Sequence, residues 1–80
     1  MRYFLELVLQ QIIDHPDDLD LRQIEEEGHV TFQISAHPDD VGKVIGKAGR
    51  TINAIRDILN AAGSRHEMRV TVQLFENNAV

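Results

Sequence analysis

Cysteine is absent from this 80-residue chain, which removes disulfides, thiolate metal sites and cysteine nucleophiles at once and suits a reducing, cytoplasmic setting. Tryptophan is absent as well. With only Tyr3, Phe4, Phe32 and Phe75 as aromatics, a core drawn from the 42% hydrophobic content must be filled by Ile, Val and Leu. No long apolar run exists either: Glu6, Gln10 and Gln11 interrupt the first one too soon for a membrane span. The first residues lack the basic start and small-residue cleavage site of a secretory signal. These absences point to a soluble cytoplasmic protein with no membrane partner. Its length allows one domain, small enough that a second partner surface, such as a copy of itself, is expected.

Positive charge is also scarce, at eight Lys and Arg against thirteen Asp and Glu, for a net of -5. Such a balance argues at first sight against a polyanionic partner. Its distribution argues the other way. Between Lys43 and Arg69 six bases (Lys43, Lys47, Arg50, Arg56, Arg65, Arg69) meet two acids (Asp57, Glu67), a local +4 that leaves -9 for the rest. Acid gathers at Asp14 to Asp20, Glu25 to Glu27 and Asp39 to Asp40, so one region attracts a polyanion while the others repel it.

What is present is periodic. Phe4, Leu5, Val8, Leu9, Ile12 and Ile13 recur at helical spacing over residues 1 to 13, and Pro16 stops that helix. Residues 20 to 27 read as an acidic edge strand. After a turn at Gly28 and His29, Val30, Phe32, Ile34 and Ala36 alternate with polar residues as a half-buried strand. Pro38, Asp39 and Asp40 open a short helix to about Ile45. Ile52, Ile55, Ile58 and Leu59 form the next, with Ala54, Ala61 and Ala62 expected to help close packing and Gly63 to end it. Met68, Val70, Val72 and Leu74 mark a last strand. The order is α-β-β-α-α-β over a single domain at 1–76, with 77–80 expected to fray. Two helices between the last two strands permit a parallel crossover. An α+β fold follows: a three-stranded mixed sheet, strand 30–36 in the middle, three helices packed on one face.

Between the second and third helices, Gly46-Lys47-Ala48-Gly49 sits directly before a helix start. Two glycines let the chain turn sharply and let a phosphate approach backbone amides, and the following helix adds free N-H groups and partial positive charge. Lys47 and Arg50 add attraction, and Lys43 extends the track. Val44, Ile45 or Ile52 offer an aliphatic floor for bases, although spacing alone leaves open which of them faces a groove and which the core. Arg56, Arg65 and Arg69 are secondary phosphate candidates. A bare G-x-x-G more often makes only a tight helix-helix turn; here the residues around it make it specific.

Other chemistry fails on spacing. Gly42 to Gly46 has one residue too few for a P-loop, and Ala48 stands where a hydroxyl should bind magnesium. A dinucleotide fingerprint is missing, as is the second half of its fold. His15, His29, His37 and His66 show no metal-ligand spacing along a helix and read as solvated or capping residues, so no metal or cofactor is assigned. The repeated His-Pro-Asp-Asp at 15–18 and 37–40 reads as a helix stop and a helix start rather than as paired catalytic carboxylates, and the chain is not read as an enzyme.

The run Val44-Ile45-Gly46-Lys47-Ala48-Gly49-Arg50-Thr51-Ile52-Asn53-Ala54-Ile55 resembles the signature of KH domains, and the element order is that of their type II, bacterial form. The whole of residues 1 to 76 is similar to the small single-domain bacterial KH proteins of the KhpA type. That resemblance implies single-stranded RNA held by Gly46, Lys47, Ala48 and Gly49, with Val44, Ile45 and Ile52 as a hydrophobic groove. It also implies a homodimer, a larger KH-containing partner of the KhpB (Jag) type, and a part in RNA chaperoning, post-transcriptional regulation and the control of cell elongation and division. Thr51-Ile52-Asn53 departs from the small apolar and basic residues expected there, and Asn53 lowers the local positive charge. The rival reading is a KH fold that dimerises and scaffolds another protein with vestigial RNA binding, using the Ile58, Leu59, Ala61 and Ala62 end of the third helix. Net acidity favours that rival; Lys47 and Arg50 do not.

Overall fold

The computed structural model describes residues 1–77. The chain runs α1 (Arg2–Ile12), a single 3-10 turn at Pro16–Asp18, β1 (Asp20–Glu26), β2 (His29–Ala36), α2 (Pro38–Ile45), a tight non-helical turn at Lys47–Gly49, α3 (Arg50–Ser64) and β3 (Arg69–Glu76). Leu5 and Leu9 bury one side of α1, and Ile13, spaced four further on, continues the stripe after the helix has ended in extended backbone (φ -88°, ψ 155°). Along β2 the period-two pattern holds throughout: Val30, Phe32, Ile34 and Ala36 are each no more than 1% exposed. Burial of such side chains contributes roughly 1.5–3 kcal/mol each for the larger ones, so β2 is the backbone of the core.

β2 is the central strand. β1 pairs with it antiparallel, Asp20 opposite Ser35 and Glu26 opposite His29. β3 pairs with it parallel, His29 opposite Arg69 and Ala36 opposite Glu76, after the crossover through α2 and α3. The three helices cover the face that carries Leu21, Val30, Phe32, Ile34, Val70 and Val72, and these join Leu5, Leu9, Val44, Ile52, Ile55 and Leu59 in one cluster. Side chains from the helices also close the sheet edges. Arg2 Nη2 donates to Leu21 O at 2.8 Å on β1; on β3, Asn60 Oδ1 accepts from Val70 N-H at 3.2 Å and Arg56 donates to Val72 O. Edges covered in this way are poor templates for another strand. No helix among the described residues is long and apolar enough to cross a membrane.

Three expectations are corrected. Gly63 does not itself end α3, which runs one residue further to Ser64; it is buried within the last turn, and the positive φ that follows belongs to Glu67 (φ 57°). Glycine is needed at 63 because a Cβ there would stand 2.7 Å from Val70 Cγ2 and 2.8 Å from Met68 O. Ala54 and Ala61 do not pack inward but are exposed. Asn77, placed in the fraying tail, donates its N-H to Ala36 O at 2.7 Å and its amide to Asp18 O at 3.0 Å; residues 78–80 lie outside the described residues.

Candidate nucleic-acid interface

α2 ends where its sequence runs into Gly46, whose φ of 75° and ψ of 175° no helix continues. Its N-H still closes the last turn on Gly42 O at 2.9 Å. Thr51 folds back over this residue, so that a Cβ at 46 would collide with the Thr51 hydroxyl and lie 2.8 Å from its Cβ. Close approach and positive φ both demand glycine there. Ala48 (φ 56°, ψ 27°) and Gly49 (φ 75°, ψ 12°) then turn the chain left-handed twice in succession, and α3 starts at Arg50. Left-handed backbone costs an alanine roughly 1–2 kcal/mol, a local strain of the kind that accompanies functional loops.

Within the described residues, Gly49 N-H donates to Gly46 O at 3.2 Å and Arg50 N-H to Lys47 O, while no turn or cap bond uses the N-H of Lys47 or Ala48. The first turn of α3 contains no acid. Free amides, the positive end of a fifteen-residue helix and two exposed cations therefore share one ridge. Among the described residues neither Lys47 nor Arg50 has an ion-pair partner. Two recesses, of about 290 and 360 Å³, lie elsewhere, one on the open sheet face around Gln33 and Phe75 and one beside α1 around Gln10 and Leu19. Neither includes the loop, where Lys47, Ala48 and Arg50 are exposed.

The other candidates divide sharply. Val44 (0% exposed) and Ile52 (6%) belong to the core and offer little surface to a base; Ile45, at 38%, is the aliphatic residue of the three that faces outward. Helical geometry decides this: Val44 and Ile52 sit on the sides of α2 and α3 that meet the sheet. Lys43 does not extend a free basic track. Its Nζ engages the Asp14 carboxylate and lies 3.6 Å from Asp40 Oδ1. The Asp14 hydrogen bond raises its pKa most; burial works against the rise and the charges of Asp14 and Asp40 add to it. Arg56 is half-buried and spends its guanidinium on Val72 O and, at 3.4 Å, on Asn53 Oδ1. Arg65 and Arg69 are exposed but lie past the far end of α3, about 20 Å along the helix from the loop at 1.5 Å per residue.

Three residues of this region were not singled out by spacing. Thr51 covers Gly46. Asn53 is exposed one turn into α3, with its Nδ2 3.5 Å from the Cβ position of Gly49. Asp40 is fully buried and accepts from the N-H groups of Asp14 (3.1 Å) and His15 (2.9 Å) and faces His15 Nδ1 at 3.2 Å. Burial pushes its pKa up, but the hydrogen bonds from Asp14 and His15, with the His15 charge when present, outweigh it and leave the pKa below the usual aspartate value. Asp40 thus ties the α1-β1 connection to the first turn of α2, whose other end is the glycine loop. Asp beside a helix start is a general capping signal, and it gave no sign that the carboxylate turns inward.

An α-β-β-α-α-β chain with a mixed sheet, three helices on one face and a G-x-x-G turn between the two crossover helices is a KH domain of type II. The KhpA/KhpB KH-domain family model matches residues 2–74, and the chain belongs to that family. It is 36% identical to the RNA-binding protein KhpA of Halalkalibacterium halodurans over 76 residues, covering 95% of this chain and all of that one. Identity to the RNA-binding protein KhpA of Bacillus subtilis is 38% over 69 residues, 86% of this chain and 85% of the relative. To that of Chlamydia pneumoniae it is 33% over 76 residues, 95% and 97% of the two chains. No solved structure matches the chain.

Proposed function

We propose that this protein binds single-stranded RNA, with the backbone amides of Gly46, Lys47, Ala48 and Gly49 holding a phosphate and Lys47 and Arg50 supplying charge. The observation that carries the reading is the loop itself: two N-H groups without a turn or cap partner, on a left-handed turn at an acid-free helix start, beside two cations with no carboxylate partner among the described residues. Curated relatives over nearly the whole length are named RNA-binding proteins. Ile45 and Asn53 flank the loop and are exposed, so bases splayed from about four unpaired nucleotides would meet an aliphatic side chain and an amide there. Lys43, Val44, Ile52 and Arg56 act in this reading by holding α2 and α3 in place. The protein is a binder rather than an enzyme, works in the cytoplasm, and serves RNA chaperoning or regulation of the kind linked to cell elongation and division.

Fluorescence anisotropy with short single-stranded RNA pools, at low and moderate salt, tests the loop. The Lys47→Asp, Ala48→Asp double variant is the probe, since aspartate tolerates left-handed backbone and places carboxylates where the phosphate would lie. Salt-sensitive binding by the wild type, weakened at least tenfold (about 1.4 kcal/mol) in the folded variant, is the expected outcome. Equal binding by both proteins, or none by the wild type, moves the assignment to a protein-interaction scaffold. One observation favours a pairing surface in either case: Ile58 is 51% exposed on α3 between exposed Ala54 and Ala61. We assign that face to a homodimer or to a larger KhpB-type partner; Leu59, at 1% exposed, is core.

A further inference from the structure

The two His-Pro-Asp-Asp copies meet in space. His15 precedes the 3-10 turn at Pro16–Asp18 and His37 caps α2, and their rings stack with centroids 3.9 Å apart and planes 11° from parallel. Asp39 joins them. Its Oδ2 lies 3.8 Å from His37 Nδ1, and one ligand atom from each of the three residues falls within 4.8 Å of the others. Donor atoms sharing one tetrahedral zinc ion, each bonded at about 2.0–2.1 Å, stand roughly 3.4 Å apart. The cluster brings the three donors near one another, and side chains must move for them to share an ion.

Tautomers point the same way. Asp40 Oδ2 lies 3.2 Å from His15 Nδ1 and is itself buried and held by backbone N-H groups. A fixed carboxylate on Nδ1 keeps the proton there and leaves the lone pair on Nε2, which is how proteins orient metal-binding histidines. His37 Nδ1 accepts from Asp39 N-H at 3.0 Å, which fixes its lone pair on Nδ1, 3.8 Å from Asp39 Oδ2, although that lone pair now caps α2.

We propose that His15 Nε2, His37 Nδ1 and the Asp39 carboxylate bind one divalent ion of the zinc class, joining the α1-β1 connection to the start of α2. Two imidazoles and a carboxylate suit zinc among the first-row ions, with water completing the shell. Parallel rings cannot aim two lone pairs at one point, so one ring must turn. Room exists, because the His15 and His37 side chains are 38% and 30% exposed. The ion also takes the lone pair that now accepts from Asp39 N-H. Loss of the stack and of that bond makes the site weaker than a preformed four-ligand one. Lys43, the nearest cation to Asp40, is itself engaged by Asp14, while Asp17 and Asp18 in the turn behind His15 favour positive charge.

The test is calorimetric titration of zinc chloride into the metal-free full chain, with histidine ring signals followed by NMR. One ion per chain is expected, moving the His15 and His37 signals and not those of His29 and His66. Because the ligands come from two segments, binding should raise Tm by roughly 10 °C or more at free zinc near 100 times Kd. His15→Ala and His37→Asn should each weaken binding at least tenfold; asparagine keeps an oxygen to cap α2, and His66→Ala should change nothing. No binding, binding that perturbs His29 or His66 instead, or undiminished affinity in the combined His15→Ala, His37→Asn variant overturns the proposal.

Discussion

At Gly63 and at Ala48 a single methyl group has opposite consequences. In an exposed helix, Gly→Ala stabilises by roughly 0.8–1.0 kcal/mol. At Gly63 the added carbon meets Met68 O at 2.8 Å, backbone that cannot step aside, and overpacking of this kind costs about 1–3 kcal/mol. The clash should win. Gly63→Ala is expected to lower Tm by several degrees, at roughly 4–8 °C per kcal/mol for a domain of this size, and differential scanning calorimetry reads it; an unchanged or raised Tm would show that α3 can lift from β3 freely. Ala48 is the reverse case. Its φ of 56° strains alanine and not glycine, so Ala48→Gly should leave thermal stability within about 1 kcal/mol and keep RNA affinity, if phosphate is held by amides rather than by the side chain.

At the scale of elements, the α1-β1 connection and α2 are joined through one carboxylate. Asp40 has a folded-state pKa below its unfolded value of 3.8 because the N-H groups of Asp14 and His15 outweigh the opposing effect of burial. A depressed carboxylate contributes stability that is present above the unfolded pKa and is lost as pH falls through the folded one. Acid unfolding should therefore show a component below pH 3.8 that Asp40→Asn removes. Equilibrium denaturation across pH 2 to 6 checks this, and parallel curves for the two proteins would contradict the link. Lys43 has the opposite sign: its pKa is raised above 10.5, so its contribution is complete below that pH and is lost as pH rises through the folded value. Its pairing with Asp14 matches with a carboxylate the charge that spacing read as part of a phosphate track.

For the molecule as a whole, charge separates into a basic ridge and an acidic remainder. If Lys47 and Arg50 make the phosphate contacts, the logarithm of affinity should fall with the logarithm of salt at a slope near -1.4, taking about 0.7 per contact on a single strand, and Lys47→Ala should remove about 0.7 of it. A slope unaffected by that substitution would place the RNA elsewhere. Pairing belongs to this scale too. If half-exposed Ile58 seats the proposed homodimer, Ile58→Asp should convert it to a monomer in sedimentation without lowering stability by more than about 0.5 kcal/mol, as for surface changes away from the core. It should also weaken only RNAs long enough to reach two loops, since the gain from pairing is one of effective concentration.

Element order and sheet topology were legible because the alternation of Val30, Phe32, Ile34 and Ala36 and the helical spacing of Ile52, Ile55 and Leu59 mark the elements, while the short turn at Gly28 and the two-helix crossover set how the strands pair. The glycine loop was legible for a similar reason: G-x-x-G before a helix is a local statement about φ and about amides, and the fold honours it at Gly46, Ala48 and Gly49. What the sequence could not assign were side chains whose role depends on a partner distant in the chain. Val44, Ile45 and Ile52 look alike as letters, and only packing sends the first and last inward and the second out. Lys43, Arg56 and Arg65 look equally basic, yet a carboxylate from before β1 engages the first, a carbonyl of β3 the second, and α3 carries the third away from the loop. Asp40 and the His15–His37 stack likewise exist only because the fold brings residues 14, 15, 37 and 40 together. Local backbone preferences are written residue by residue, whereas burial and pairing are set by neighbours that only the folded chain supplies.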